Sequence, residues 1–157
     1  MASRSLPAEV LRVFSVNTLG ALATLVPVAP RMVARGKGTL AAVTSLAGMR
    51  GLAGHAAYSA SKAAVSTYLE ALRVDVHGHG VDVVDVRPGF VDTPMTRDKR
   101  FPMPFLLDST RAARLTVDGL RRGTPVVEYP FALARAMDFA EKLPDALWRR
   151  VAERLPR

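Results

Sequence analysis

The sequence predicts an α/β fold in which about three parallel strands are joined by helices. Two observations point to that class. Three short apolar runs, Thr39–Thr44, Val81–Val86 and Pro125–Tyr129, have strand length, and longer stretches of helical periodicity alternate with them. Glycine or proline punctuates most of the switches. Regular alternation of helix and strand implies a parallel sheet with right-handed crossovers.

Taken in order, residues 7 to 34 read as a helix that opens at Pro7 and is disturbed near Pro27. Gly36-Lys37-Gly38 ends it. The run Thr39–Thr44 is nearly all apolar, which suits a parallel strand covered on both faces. It looks too apolar for a sheet edge, so a neighbour is expected beside it. A glycine-rich loop, Gly48 to Gly54, leads into the clearest helix, about Ala57 to Val76. Val65, Tyr68, Leu69, Leu72 and Val76 share one of its faces. Gly78 and Gly80 stop this helix, and Pro88-Gly89 turns the chain after the second strand. Helical stretches at 108–122 and 131–153 flank the third strand.

Composition excludes several classes. The chain has 157 residues, 49% of them hydrophobic, which fits one globular domain over residues 1–157. It has no cysteine, so disulfides, thiolate catalysis and cysteine-held zinc are excluded, and a cytoplasmic location is expected. The net charge is +8, but the bases are dispersed, with small clusters at Arg97–Arg100, Arg121–Arg122 and Arg149–Arg150. No aromatic-interleaved basic stripe occurs, so no nucleic-acid partner is expected. Val13 to Pro30 is uncharged, which raises a membrane span or a signal peptide. Ser15, Asn17, Thr18, Thr24, Pro27 and Pro30 argue against both, and a buried soluble helix is expected instead.

Chemistry concentrates in Tyr58-Ser59-Ala60-Ser61-Lys62. On a helix, Tyr58 and Lys62 stand at i and i+4 and share a face. A phenol titrates near ~10, and a neighbouring ammonium lowers that value toward a useful acid/base. Such a pair is by itself often an ordinary surface pair. Ser45 follows the first strand, and ligand sites in open parallel sheets gather at the carboxyl ends of strands. Alone, Ser45 could equally be a turn or cap residue.

Together these residues resemble the short-chain dehydrogenase/reductase family. Gly38-Thr39-Leu40-Ala41-Ala42-Val43-Thr44-Ser45-Leu46-Ala47-Gly48 resembles its fifth strand and the serine beyond it. Tyr58-x-x-x-Lys62 resembles its catalytic pair, and Val16-Asn17-Thr18-Leu19-Gly20 the segment with its catalytic asparagine. Arg87-Pro88-Gly89-Phe90-Val91-Asp92-Thr93 resembles the loop after its sixth strand. The likeness spans residues 8 to 96, in order and in register.

The resemblance implies a partial Rossmann-like, doubly wound sheet and reversible hydride transfer between NAD or NADP and a secondary alcohol or carbonyl. It implies that Tyr58 exchanges the substrate proton and that Ser45 orients the substrate oxygen. Lys62 would tune Tyr58 and bind the nicotinamide ribose, and Asn17 would hold a water that links Lys62 to solvent. Pro88, Gly89, Val91 and Thr93 would line the nicotinamide and adjoining phosphate. It also implies a homo-oligomer packed through the helices bearing Asn17 and Tyr58.

The chain departs from the family pattern in two respects. No GxxxGxG or GxGxxG occurs, so the turn that grips the pyrophosphate is missing and the choice of NAD or NADP is unreadable. This reads as a truncated, C-terminal half, short by on the order of 100 residues. The other departure is Asp85, which stands where the family has an apolar residue. It either pairs with Arg87 at i+2 or lies on a solvent-exposed face.

Other residues are less informative. His55 precedes Tyr58 and could reach a substrate, but a plain loop residue fits as well. His77 and His79 suit a helix end, and no metal site is expected. Phe101, Met103, Phe105 and Leu106 suit an apolar ligand or the core. Leu147, Trp148, Val151 and Leu155 lie on an amphipathic stretch that reads as a helix docked on the core.

Overall fold

The computed structural model describes residues 7–97 and 102–154. Its elements run α1 (Pro7–Phe14), α2 (Gly20–Arg35), β1 (Gly38–Val43), α3 (Ala56–Asp75), β2 (Val81–Pro88), α4 (Pro94–Arg97), α5 (Ser109–Arg121), β3 (Val126–Tyr129), α6 (Phe131–Lys142) and α7 (Asp145–Ala152). A π-helical turn, Ser15–Leu19, joins α1 to α2 without a break, and a 3-10 turn, Leu46–Gly48, follows β1.

The three strands form a parallel sheet in the order β1-β2-β3. Alternation along β2 divides the core in two. Val83 packs with Leu25, Ala29, Leu40, Val65, Leu69 and Leu72, which seals α2 and α3 onto one face. Val84 and Val86 pack on the other face with Ala112, Val127 and Tyr129, beneath α5. Gly119 permits that contact, because a Cβ there would lie 2.3 Å from Val127 Cγ2. Helices therefore cover both faces, as a doubly wound sheet requires.

Several expectations need correction. β1 is an edge strand among the described residues, and only its Leu40 side is deeply covered. Val43 is 58% exposed because α5 packs over β2 and β3 and stops short of β1. The helix through Pro27 and Pro30 continues to Arg35. Proline removes the N–H that would bond the carbonyl four residues back. Here those carbonyls belong to the exposed residues Ala23 and Val26, where water can serve them.

The same helix is not buried as expected. Only Thr18, Leu25 and Ala29 are buried along it, and Leu11, Val16, Leu19 and Val26 face outward. By length and composition Pro7–Arg35 is sufficient to cross a membrane, although one face is packed into the core. The expected helix over 131–153 is two helices, separated at Leu143-Pro144 where the backbone turns extended. Phe101, the Lys99–Arg100 end of the first basic cluster and Leu155 lie outside the described residues.

Candidate active site

The carboxyl ends of β1 and β2 meet the N-terminal turns of α3, and the candidate residues gather there. Ser45 leaves β1 in extended conformation and caps the 3-10 turn, its Oγ accepting from the Ala47 N–H at 3.1 Å. The same hydroxyl donates to the Pro88 carbonyl at 3.4 Å, which ties the end of β1 to the end of β2. Gly48 then passes against α3, where a Cβ would stand 3.0 Å from the Ala63 backbone nitrogen. A side chain there would press on the backbone of α3 beside Lys62.

Tyr58 and Lys62 are both half-buried on the first turns of α3. The Lys62 Nζ lies 5.9 Å from the Tyr58 ring centroid and donates to the Val43 carbonyl at 2.9 Å. Burial pushes the Lys62 ammonium below its ordinary value of 10.5, and the charge of Asp85 partly offsets that.

Asn17 sits in the π-helical turn, a feature that recurs at functional sites. Its Nδ2 donates to Ser61 Oγ at 3.1 Å, and Ser61 Oγ donates to the Tyr58 carbonyl at 2.8 Å. Thr18 donates to the Ser61 carbonyl. The α1–α2 helix is thereby fastened to the first turns of α3 by polar contacts.

The loop after β2 is held as firmly. Gly89 donates its N–H to the Tyr129 carbonyl at 2.7 Å, and a Cβ at Gly89 would lie 2.7 Å from Leu133. Val91 bridges to Leu107, and its carbonyl accepts from Thr96 Oγ1 at 2.7 Å. The Thr93 N–H donates to Thr96 Oγ1 at 3.0 Å. Pro88, Gly89, Val91 and Thr93 thus follow the strand end in one braced loop.

Asp85 is 1% exposed, and it pairs with Arg87 rather than with water. Arg87 Nε reaches Asp85 Oδ2 at 2.7 Å, and Arg87 Nη1 reaches Glu128 Oε1 at 3.2 Å. Thr44 Oγ1 donates to the other Asp85 oxygen. Spacing suggested the Arg87 partnership; the parts played by Glu128 and Thr44 depend on strand register and left no mark in the sequence.

Sequence reasoning also missed a clamp on the loop before Tyr58. Arg50 donates to the Glu141 and Leu143 carbonyls at the end of α6 and pairs with Asp145 of α7 at 2.7 Å. Trp148 donates to the Gly51 carbonyl at 3.1 Å, under the Arg50 guanidinium. α7 accordingly docks on this loop, while Leu147 and Val151 stay exposed, contrary to a helix docked on the core. Phe105, half of whose surface is open, has a left-handed φ of 60°, an uncommon state for a bulky residue.

Among the described residues no group of three or more His, Asp or Glu could hold a metal. The family model for the short chain dehydrogenase matches residues 1–103. The chain belongs to that family. It is 48% identical over 154 residues to an uncharacterized oxidoreductase of Myxococcus xanthus, covering 98% of this chain and 61% of that protein. It is 39% identical over 100 residues to the ketoacyl reductase HetN of Nostoc, covering 63% of this chain and 35% of the relative.

Solved structures agree on the fold. A short chain dehydrogenase from Burkholderia cenocepacia, in complex with NADP, superposes with a TM-score of 0.79 at 26% identity, over 97% of this chain and 63% of the other. One from Sphingobium yanoikuyae, in complex with NADPH, gives 0.76 at 20% identity, over 98% and 60%. The chain therefore spans about three fifths of the length of the Myxococcus xanthus relative and of both solved structures.

Proposed function

We propose that these 157 residues are the catalytic half of an NAD(P)-dependent oxidoreductase that interconverts a secondary alcohol and a carbonyl. The observation that carries this reading is Tyr58 one helical turn from Lys62, whose ammonium is tied to the strand end bearing Ser45. Tyr58 would pass its proton to the substrate oxygen, with the Lys62 ammonium one helical turn away on the same face. Ser45 would orient that oxygen; substrate would first have to compete with the Pro88 carbonyl for the hydroxyl. Asn17, on its π-helical turn beside Ser61, would relay the proton toward solvent.

The residues present fit one end of a dinucleotide. Lys62 would bind the nicotinamide ribose, and the braced loop of Pro88, Gly89, Val91 and Thr93 would flank the nicotinamide. The bound cofactor would supply or accept the hydride. No glycine-rich strand-to-helix turn for the pyrophosphate occurs in the sequence. We take the phosphate end of the site to be supplied from outside these residues, consistent with the free edge of β1.

A second reading rests on Leu11, Val16, Leu19 and Val26, which leave the α1–α2 helix apolar toward solvent. That face suits self-association through the helices bearing Asn17 and Tyr58, in a cytoplasmic protein whose catalytic part has lapsed. Joining this chain to the part of the Myxococcus xanthus relative that it does not span separates the two. Carbonyl-dependent NAD(P)H oxidation by the chimera, lost in Tyr58→Phe and Lys62→Ala, supports the enzyme. Oligomers without such turnover support the lapsed form.

A further inference from the structure

We propose that Asp85 is a positioning residue of this site, which fixes the corner carrying Ser45 and supplies the negative charge that faces Lys62. The proposal rests on the reading of Tyr58 and Lys62 as the proton-handling pair.

Geometry places Asp85 below Lys62. Val83, Asp85 and Arg87 share the face of β2 on which α3 lies, as the packing of Val83 on Val65 and Leu69 shows. Arg73, near the end of α3, donates to the Val83 carbonyl at 3.0 Å. Lys62, near its start, donates to Val43, which pairs in register with Val86. Advancing along β2 therefore means retreating along α3, and Asp85 falls beneath the Lys62 end. Its register neighbour on β1 is Ala42, whose single methyl leaves that space open.

Three consecutive residues leave β1 under tension from different partners. Lys62 holds the Val43 carbonyl, Asp85 holds the Thr44 hydroxyl, and Ser45 reaches Pro88. The Thr44 N–H adds a bond to the Val86 carbonyl at 2.7 Å. Asp85 is the carboxylate of this corner, and its hold on Thr44 is one residue from the candidate catalytic hydroxyl.

The charges extend from there in alternation. Arg87 is shared between Asp85 and Glu128, and Arg135 of α6 is shared between Glu128 and Asp138. Lys62, Arg87 and Arg135 face Asp85, Glu128 and Asp138, so the set balances only while Lys62 is charged. The π-helical turn packed on this end of α3 contributes no charge. Because Arg87 divides its attention, Asp85 keeps negative charge available to Lys62, and this works against the burial that lowers the lysine.

Stability alone does not account for the arrangement. A buried ion pair replaced by apolar residues of similar volume is often no less stable. A carboxylate in the middle of an apolar strand is better explained by what it does to its neighbours.

The test is the pH dependence of Lys62 acylation, read by mass spectrometry on the full chain, with Lys37 and Lys142 as internal references. Asp85→Asn keeps an acceptor for Thr44 and removes the charge. It should lower the Lys62 midpoint by about one pH unit, with the reference lysines unmoved and Asp85→Glu restoring it. Should Asp85→Asn fail to fold, Glu128→Gln frees Arg87 to neutralise Asp85 and should move Lys62 in the same direction by less. A Lys62 midpoint unchanged in a folded variant overturns the proposal. A shifted midpoint in a chain whose chimera shows no Tyr58-dependent turnover overturns the enzymatic reading instead.

Discussion

At the carboxyl end of the sheet, Thr44, Ser45, Ser61, Asp85 and Arg87 all have hydrogen-bond partners, several from distant parts of the chain. Along the α1–α2 helix and the outer side of β1, Leu11, Val16, Leu19, Val26 and Val43 face solvent, each 50% exposed or more. The two regions adjoin, since Lys62 and Val43 share a hydrogen bond. One is fitted to hold a few atoms still; the other has apolar surface of the kind that another chain segment covers. The end that would do the chemistry is built from residues within this sequence, whereas the flank nearest the expected pyrophosphate is open.

That contrast should be visible in stability. Asp85→Ala strands the buried Thr44 hydroxyl and takes one carboxylate from the half-buried Arg87, and a loss of about 3 kcal/mol is expected in urea unfolding. Leu69→Ala, at a fully buried position that joins α2, α3 and the sheet, should cost about 2–5 kcal/mol. Gly48→Val should cost about 1–3 kcal/mol by overpacking the turn against α3. Losses this large on the pinned side, beside small ones on the open side, sustain the comparison; equal losses break it.

Smaller effects sharpen it. Trp148 is the sole tryptophan, so its emission reports the clamp on the loop before Tyr58. Arg50→Ala should shift that emission to the red, raise acrylamide quenching and cost about 1 kcal/mol. On the open flank, Leu19→Gln with Val16→Thr should change stability by about 0.5 kcal/mol or less. The same pair should move the chain toward smaller species in sedimentation.

Lys62 also sets a pH dependence. Its folded value lies below 10.5, so the unfolded chain binds the proton more tightly. The penalty for charging Lys62 is fully present below the folded value, and it fades as pH rises toward 10.5. Lys62→Met should abolish that rise in stability at alkaline pH.

The fold was readable where burial and glycine punctuation coincide. β1, α3 and β2 fall within a few residues of the apolar runs that predict them, because each is buried on at least one face. Proline misled, since Pro27 and Pro30 sit on the solvent side of a helix that tolerates them. The π-helical turn at Asn17 carries no pattern of its own. Of the site, Tyr58, Lys62 and Ser45 were legible as spaced chemistry on recognisable elements. Glu128, Thr44 and the Arg50–Trp148 clamp were not, because strand register and helix docking bring them together over 41 to 97 residues of sequence.

Titrating the purified 157-residue chain with NADPH and then NADH, followed by cofactor fluorescence, tests the central claim most directly. A chain that holds the chemical end of the site without the pyrophosphate grip should show no saturable binding at micromolar cofactor. Saturable micromolar binding by the chain alone would contradict the account, because these residues would then grip the whole dinucleotide.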